Sequence, residues 1–380
     1  MTSSTTYPNA RAAAAMVQPH FARHLAEAAR QGGTELPAAP DAATIEAIID
    51  AAFWTSLRRE EGYVPIISLA WLAPEHAHSS LRFERPLPLD PRALSRLSPA
   101  VVRPGIHLGV WREQGSLCVW GITRALPQYS FALEVAAPGL LVIKHRRGQD
   151  SGKFVNVAVL EGDQIKILDR DATGLSACQT IVNSLLGFET PAPTGNPANV
   201  LTQLAASMRE HRRGGLLLVV PAQSETWRES IVHPVQYSVS PAFTELAGLL
   251  REDGNQRHAI IWQDSLRRSV DAIAGLTAVD GATVITDRYD LLAFGAKVTR
   301  REGFASVARV LVTEPIEGAS GQIVDPPQIG GTRHLAAAQF AHDQRDSIAM
   351  AASQDGRFTL FAWSACEEIV QAHCVETLLL

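Results

Sequence analysis

The chain has 380 residues, 46% of them hydrophobic and 19% charged, with a formal net charge of −5. That balance excludes wholesale disorder and gives no basic field to recruit nucleic acid. No apolar run reaches the length of a membrane span, and the length allows two domains that each bury a core.

Residues 1–37 are rich in Ala, Ser, Thr and Pro and lack the apolar stretch of a secretory signal, so partial order is expected there. Ile45, Ile48, Ile49, Ala52, Phe53 and Leu57 fall at helical spacing and predict an amphipathic helix over 44–59. Between 64 and 168 the pattern turns to short β-type runs at 65–69, 106–111, 117–122, 131–135, 140–143, 154–160 and 164–168. Gly or Pro punctuates most of the gaps. With a second helix predicted at 177–186, residues 38–190 read as a β-rich α+β domain.

Pro and Gly mark 191–198 as a linker, and Asn196-Pro197 suits the start of the helix that buries Val200, Leu201, Leu204, Ala205 and Met208. Gly214 to Val220 is apolar without alternation, the pattern of a strand buried on both faces. Strands at 235–239, 283–286, 291–294 and 308–313 then alternate with helices at 242–251, 265–276 and 332–341. A hairpin over 348–363 turns at Asp355-Gly356. Residues 199–365 therefore read as an α/β domain, three layers with a mixed central sheet, and 366–380 as a tail or helix. Cys118, Cys178, Cys366 and Cys374 lack metal-type spacing and read as reduced thiols of a cytoplasmic protein.

Two segments carry chemistry. Asp280-Gly281-Ala282 puts a carboxylate beside a side-chain-free position where an apolar strand begins. Asp280 is a hard-oxygen ligand of the kind Mg²⁺ or Mn²⁺ takes together with substrate phosphates, and Gly281 leaves room for a base or ribose. Gly330-Gly331-Thr332-Arg333-His334 opens a helix, and free N–H groups behind glycines make an anion site. Thr332 can cap that helix or donate to phosphate, while Arg333 offers a planar fork and His334 a further donor. Taken singly, the first segment is also a turn before a strand and the second a capped surface helix. Together, inside one α/β unit, they suit nucleotidyl transfer.

Residues 199–363 resemble the diadenylate cyclase (DAC) domain, through Arg212-Arg213-Gly214-Gly215 and the apolar run after it, Asp280-Gly281-Ala282, Gly331-Thr332-Arg333-His334, and Ser353. The resemblance implies condensation of two ATP into cyclic di-AMP and two pyrophosphates, with Mg²⁺ or Mn²⁺ as cofactor. Asp280 would bind the metal and help activate the ribose 3′-hydroxyl, so Asp280, Arg333 and His334 form the implied catalytic set. Gly281 and Val298 would lie along the adenosine, and Ala282, Gly331 and Leu335 belong to the implied ATP-binding set. Thr332, Arg333, His334 and Ser353 would hold the triphosphate. Each such domain binds one ATP, so self-association of two domains face to face is implied. Leu335 stands where the family has a second Arg, and Ser353-Gln354-Asp355 where some members have Ser-Glu-Glu, with Asp355 a substitute second acid. The alternative is a nucleotide-binding sensor that keeps the fold and has lost turnover.

Residues 38–190 resemble the sensor domain DACNV, through the run from Arg103 to Trp111, Val119-Trp120-Gly121, the run from Lys144 to Gly148, and that from Gly152 to Asn156. Its ligand is not implied. Residues 144–147 suit an anion or a solvated turn, and the glycines from 148 do not have the spacing of a phosphate loop. His107 reads as a core histidine, and Trp111 and Trp120 as core or the wall of a small-ligand pocket.

Overall fold

In the computed structural model of the chain, the Ala-rich stretch Pro8–Arg30 forms a 23-residue helix, α1, against the partial order its composition predicts. Alanine is the best helix former, and Ala10, Ala13, Ala14, Val17 and Phe21 supply a buried stripe at helical spacing. The structure describes residues 6–30, 36–103, 105–146, 154–168, 200–251 and 260–379. The helix expected at 177–186 and the linker at 191–198 lie outside them. The chain divides into two units, Met1–Asp169 and Arg170–Leu379, both mixing helices with a mixed sheet.

In the first unit α1 is followed by α2 (Ala42–Ser56), β1 (Ser68–Trp71), β2 (Ser80–Pro88) and α3 (Pro91–Val101). Then come β3 (His107–Glu113), β4 (Ser116–Thr123), β5 (Phe131–Ala137), β6 (Leu140–Arg146), β7 (Phe154–Glu161) and β8 (Gln164–Ile167). The eight strands run β2-β4-β3-β1-β5-β6-β7-β8; β1 and β3 are parallel and the other pairs antiparallel. The stripes of α1 and α2 share one core with Leu108, Val110, Leu133, Ile143 and Leu160 of the sheet. Asp41 caps α2 by accepting from the Thr44 N–H at 2.7 Å, and Asp90 caps α3 by accepting from Arg92 and Ala93. Gly109 has no room for a methyl group, because a Cβ there would lie 2.2 Å from the Trp120 ring.

The second unit contains α4 (Val200–Glu210), β9 (Gly215–Val220), β10 (Tyr237–Phe243), α5 (Glu245–Arg251), α6 (Ile260–Leu276), β11 (Ala282–Thr286) and β12 (Leu291–Ala296). It continues with β13 (Val310–Thr313), β14 (Gln322–Val324), α7 (Thr332–Asp343), β15 (Ile348–Ala352), β16 (Phe358–Ser364) and β17 (Ile369–Cys374). The nine strands run β10-β12-β11-β9-β15-β16-β17-β13-β14. β9, central and buried at every position, runs parallel to β11 and antiparallel to β15. Its side chains alternate between two cores: Leu217 and Val219 join α4, α5 and α6, whereas Leu216, Leu218 and Val220 join α7.

Two expectations change here. The stretch read as a tail or helix from 366 contains β17, which pairs with both β16 and β13 inside the sheet. Its Val370 and Ala372 alternate into the α7-side core. Cys366 is disulfide-bonded rather than a reduced thiol, and Cys118 keeps a free thiol.

Candidate functional site

The register of the central strands brings the two chemical segments to one end of the sheet. Thr283 pairs with Leu217 across the parallel β11–β9 ladder, so Gly281 and Asp280 stand where Gly215 and Gly214 begin β9. On the other side of β9, Ala352 pairs with Gly215, so β15 ends and Ser353 leaves at this same edge. Adjacent strands lie about 4.8 Å apart, which spreads the three strand ends over roughly 10 Å.

The first turn of α7 reaches this edge through Arg333. A Cβ on Gly214 would lie 3.0 Å from Arg333 Nη1 and 3.3 Å from the Ala352 carbonyl oxygen. Gly214 also holds φ +71, so bare backbone there gives the guanidinium its place. No side chain caps α7, and the His334 and Leu335 N–H groups both turn back onto the Gly331 carbonyl at 2.9 and 3.2 Å. Gly331 takes the cap position, so Thr332 is the first helical residue and its hydroxyl makes no cap. Both Gly331 and Thr332 are exposed.

His211 backs the arginine. Its Nδ1 accepts the Arg213 N–H at 3.1 Å, which leaves Nε2–H to donate to Thr277 Oγ1 at 3.3 Å. Burial first, then the positive charges of Arg213 and Arg333, push its pKa below the ordinary value and keep it neutral. Thr277 Oγ1 in turn donates a hydrogen bond to the Ala274 carbonyl at 2.6 Å. Gly215 must be glycine because a Cβ would sit 2.4 Å from that same oxygen.

On the β11 side, Gly281 holds φ +108, and a Cβ on it would lie 2.5 Å from the Gly295 carbonyl carbon. Two strands thus approach backbone to backbone where Asp280 leaves the sheet. The Asp280 carboxylate is 90% exposed, with Lys297 Nζ 3.7 Å away. Ala282 is fully buried in the α7-side core and offers no side chain to a ligand. Tyr237, 40% exposed, stacks on Phe294 at 4.7 Å between centroids and covers Gly295. It presents a flat aromatic surface beside Asp280-Gly281.

The remaining predicted residues take other positions. His334 is 3% exposed, lies under Gly330 and edge-on to Phe361, and its Nε2 has no hydrogen-bond partner. Burial lowers its pKa, so it is a neutral ring beneath the turn rather than a cation presented to solvent. Ser353 Oγ donates to Asp355 Oδ1. That bond holds the Asp355 carboxyl below the usual carboxylate range, and Asp355 also pairs with Arg357 at 3.5 Å. Leu335 and Val298 both line a cavity of about 370 Å³, together with Arg300, Val307, Pro326 and Pro327. The first turn of α7 therefore separates a polar edge, with Arg333, from a largely apolar hollow, with Leu335.

Gly214, Tyr237, Gly295 and Lys297 have no singular mark in the sequence reading. Gly214 precedes the apolar run of β9 in sequence, and the other three join the site through pairing of β10 with β12 and of β12 with β11. As for a divalent cation, the donor set is one exposed carboxylate, with Asp355 a second acid already engaged by Ser353 and Arg357. One or two carboxylates plus substrate phosphates and water is what Mg²⁺ takes, and the exposed Asp280 carboxylate, 3.7 Å from Lys297 Nζ, is of that donor type.

Residues 34–124 match the family model described as "Probable sensor domain DACNV". The match spans α2, α3 and β1 to β4 of the first unit. Among solved structures, the chain is similar to a hypothetical membrane spanning protein from Bacillus cereus, at 14% identity and TM-score 0.28, over 52% of this chain and 70% of that one. It is also similar to DacA from Staphylococcus aureus, at 12% identity and TM-score 0.23, over 51% of this chain and 88% of that one. At those scores the likeness assigns neither fold nor activity. No curated protein matches the chain. Among the described residues no helix is long and apolar enough to cross a membrane.

Proposed function

We propose that the second unit is a three-layer αβα domain that condenses two ATP molecules into cyclic di-AMP, and that the first unit, with its sensor-type stretch, adjusts that activity. The observation that carries the reading is the convergence of Arg333, the bare backbone at Gly214 and the end of β15 on the sheet edge where Asp280 emerges. A triphosphate laid along this edge meets the Arg333 fork and the uncapped start of α7, while an adenine has Tyr237 as a platform. Asp280 would hold Mg²⁺ or Mn²⁺, which supplies charge neutralisation at the phosphates. In each of two steps a ribose 3′-oxygen bonds to the α-phosphorus of the other ATP. The α–β phosphoanhydride bond breaks, pyrophosphate leaves, and the hydroxyl proton passes to solvent. Each hydroxyl must reach the other nucleotide, so two copies of the unit face one another.

Incubating the full chain with ATP and either metal tests this. The expected result is cyclic di-AMP and pyrophosphate by chromatography, with product lost in Asp280→Asn. Saturable ATP binding without product under both metals overturns it.

Three observations favour a second reading, a nucleotide sensor without turnover. Leu335 faces the apolar hollow, His334 is buried, and Lys297 partners Asp280. Loss of one charge-assisted contact to the transferring group costs about 1.5–3 kcal/mol, about one to two decades in rate. Under this reading the chain binds ATP saturably and gives no cyclic di-AMP with either metal, and normal turnover in the unmodified chain excludes it.

A further inference from the structure

Three histidines outside the nucleotide site meet in the first unit. His20 and His24 lie one turn apart on α1, and His145 stands on β6. One ring nitrogen from each lies within 4.8 Å of the other two. Ring centroids are 4.2 Å apart for His20–His24, 5.3 Å for His24–His145 and 6.3 Å for His20–His145.

The spacing is that of a metal ligand set, since i and i+4 on one helix face deliver two imidazoles to one point. His145 is 6% exposed and braced by Tyr129 and by the edge of Phe21, so one ligand is fixed before any ion arrives. The His145 Nδ1 contacts the Arg146 carbonyl at 3.2 Å. A carbonyl only accepts, so Nδ1 carries the proton and Nε2 the lone pair, the arrangement that a backbone carbonyl imposes on metal-binding histidines. His20 Nδ1 meets Arg23 Nη2 at a long 3.4 Å, and this exposed guanidinium can leave for solvent as a cation binds.

We infer that His20, His24 and His145 form a transition-metal site, with Zn²⁺ the ion of choice and a water in the fourth position. Three neutral imidazoles suit Zn²⁺, Cu²⁺ or Ni²⁺ and not Mg²⁺ or Ca²⁺, which require oxygen. Zn–N bonds of about 2.0–2.1 Å at tetrahedral angles put ligand nitrogens about 3.3 Å apart, so the partly exposed His20 and His24 need only close in by side-chain rotation. The ion ties α1 to β6, elements on either side of residues 34–124, and makes metal occupancy a property that the sensor-type unit can report. Nothing in this depends on the nucleotide reading.

The test uses the untagged full chain, stripped with chelator, titrated with Zn²⁺ and separately with Co²⁺. Expected are one Zn²⁺ per chain by calorimetry, a tetrahedral Co²⁺ visible spectrum, and a zinc-dependent rise in melting temperature. His20→Ala and His24→Ala each weaken binding by more than the roughly 10–100-fold that loss of an outer-shell partner costs. Both positions are only partly buried and lie outside the core cluster, so the double variant is expected to fold, which its circular dichroism without metal checks. Absence of a stoichiometric ion, or equal affinity in the double variant, overturns the site and reduces the cluster to ring packing.

Discussion

Replacing Gly281 by Ala tests the backbone approach that lets Asp280 leave the sheet. The added methyl would lie 2.5 Å from the Gly295 carbonyl carbon, 2.8 Å from its oxygen and 3.0 Å from the Ala296 nitrogen. All three are main-chain atoms of a paired strand, so no side chain can swing away. Residue 281 also holds φ +108, a conformation that costs an L-residue about 1–3 kcal/mol, and overpacking of this kind adds about 1–3 kcal/mol. The expected loss is about 3–5 kcal/mol, a large share of a typical stability of about 5–15 kcal/mol. For a unit of this size that lowers the melting temperature by about 10 °C. Gly275→Ala is the matched control. It sits exposed in α6 with nothing within 4 Å of the new methyl, and should gain about 0.5–1 kcal/mol. Chemical denaturation of both variants beside the parent chain measures the two signs. If Gly281→Ala unfolds within about 0.5 kcal/mol of the parent, the close approach is not a constraint and the reasoning fails.

Other outcomes follow from buried titrating groups and caps. His107 and His373, one in each unit, have pKa values lowered to about 4, chiefly by burial. The unfolded chain binds their protons more readily, so stability is complete above the ordinary value of 6.5 and falls as pH drops toward 4. The loss is about 3 kcal/mol per histidine, and His107→Asn should shallow the acid limb of the first unit's unfolding profile. Asp90→Ala removes the acceptor for two α3 N–H groups and should cost about 1 kcal/mol, read by thermal melting. Arg333→Gln should weaken ATP affinity by about tenfold or more, the measure of a lost charge-assisted contact, with far-ultraviolet circular dichroism unchanged.

Local sequence determined most of the elements. The ladder of Ile45, Ile48 and Ile49 specified α2, the unbroken apolar run to Val220 specified β9, and Asp355-Gly356 placed the turn between β15 and β16, because each signal acts between near neighbours in the chain. α1, β2, α3, β14 and β17 escaped, three of them for identifiable reasons. β2 is largely exposed and contains Pro86 and Pro88, α1 has a stripe made mostly of alanine, and β17 is a short run after a cysteine that gains meaning only between β16 and β13. The motifs around Asp280 and Arg333 were visible as residue types. The strand register decided that they share one sheet edge, because parallel and antiparallel pairing join segments tens of residues apart. Tertiary packing also turned His334 inward and Leu335 toward the hollow, and brought Tyr237 beside Gly295 and His145 beside His20 and His24. A side chain's partner across a sheet depends on pairing that no local pattern encodes. Chemistry was thus written in the sequence, and its geometry in the fold.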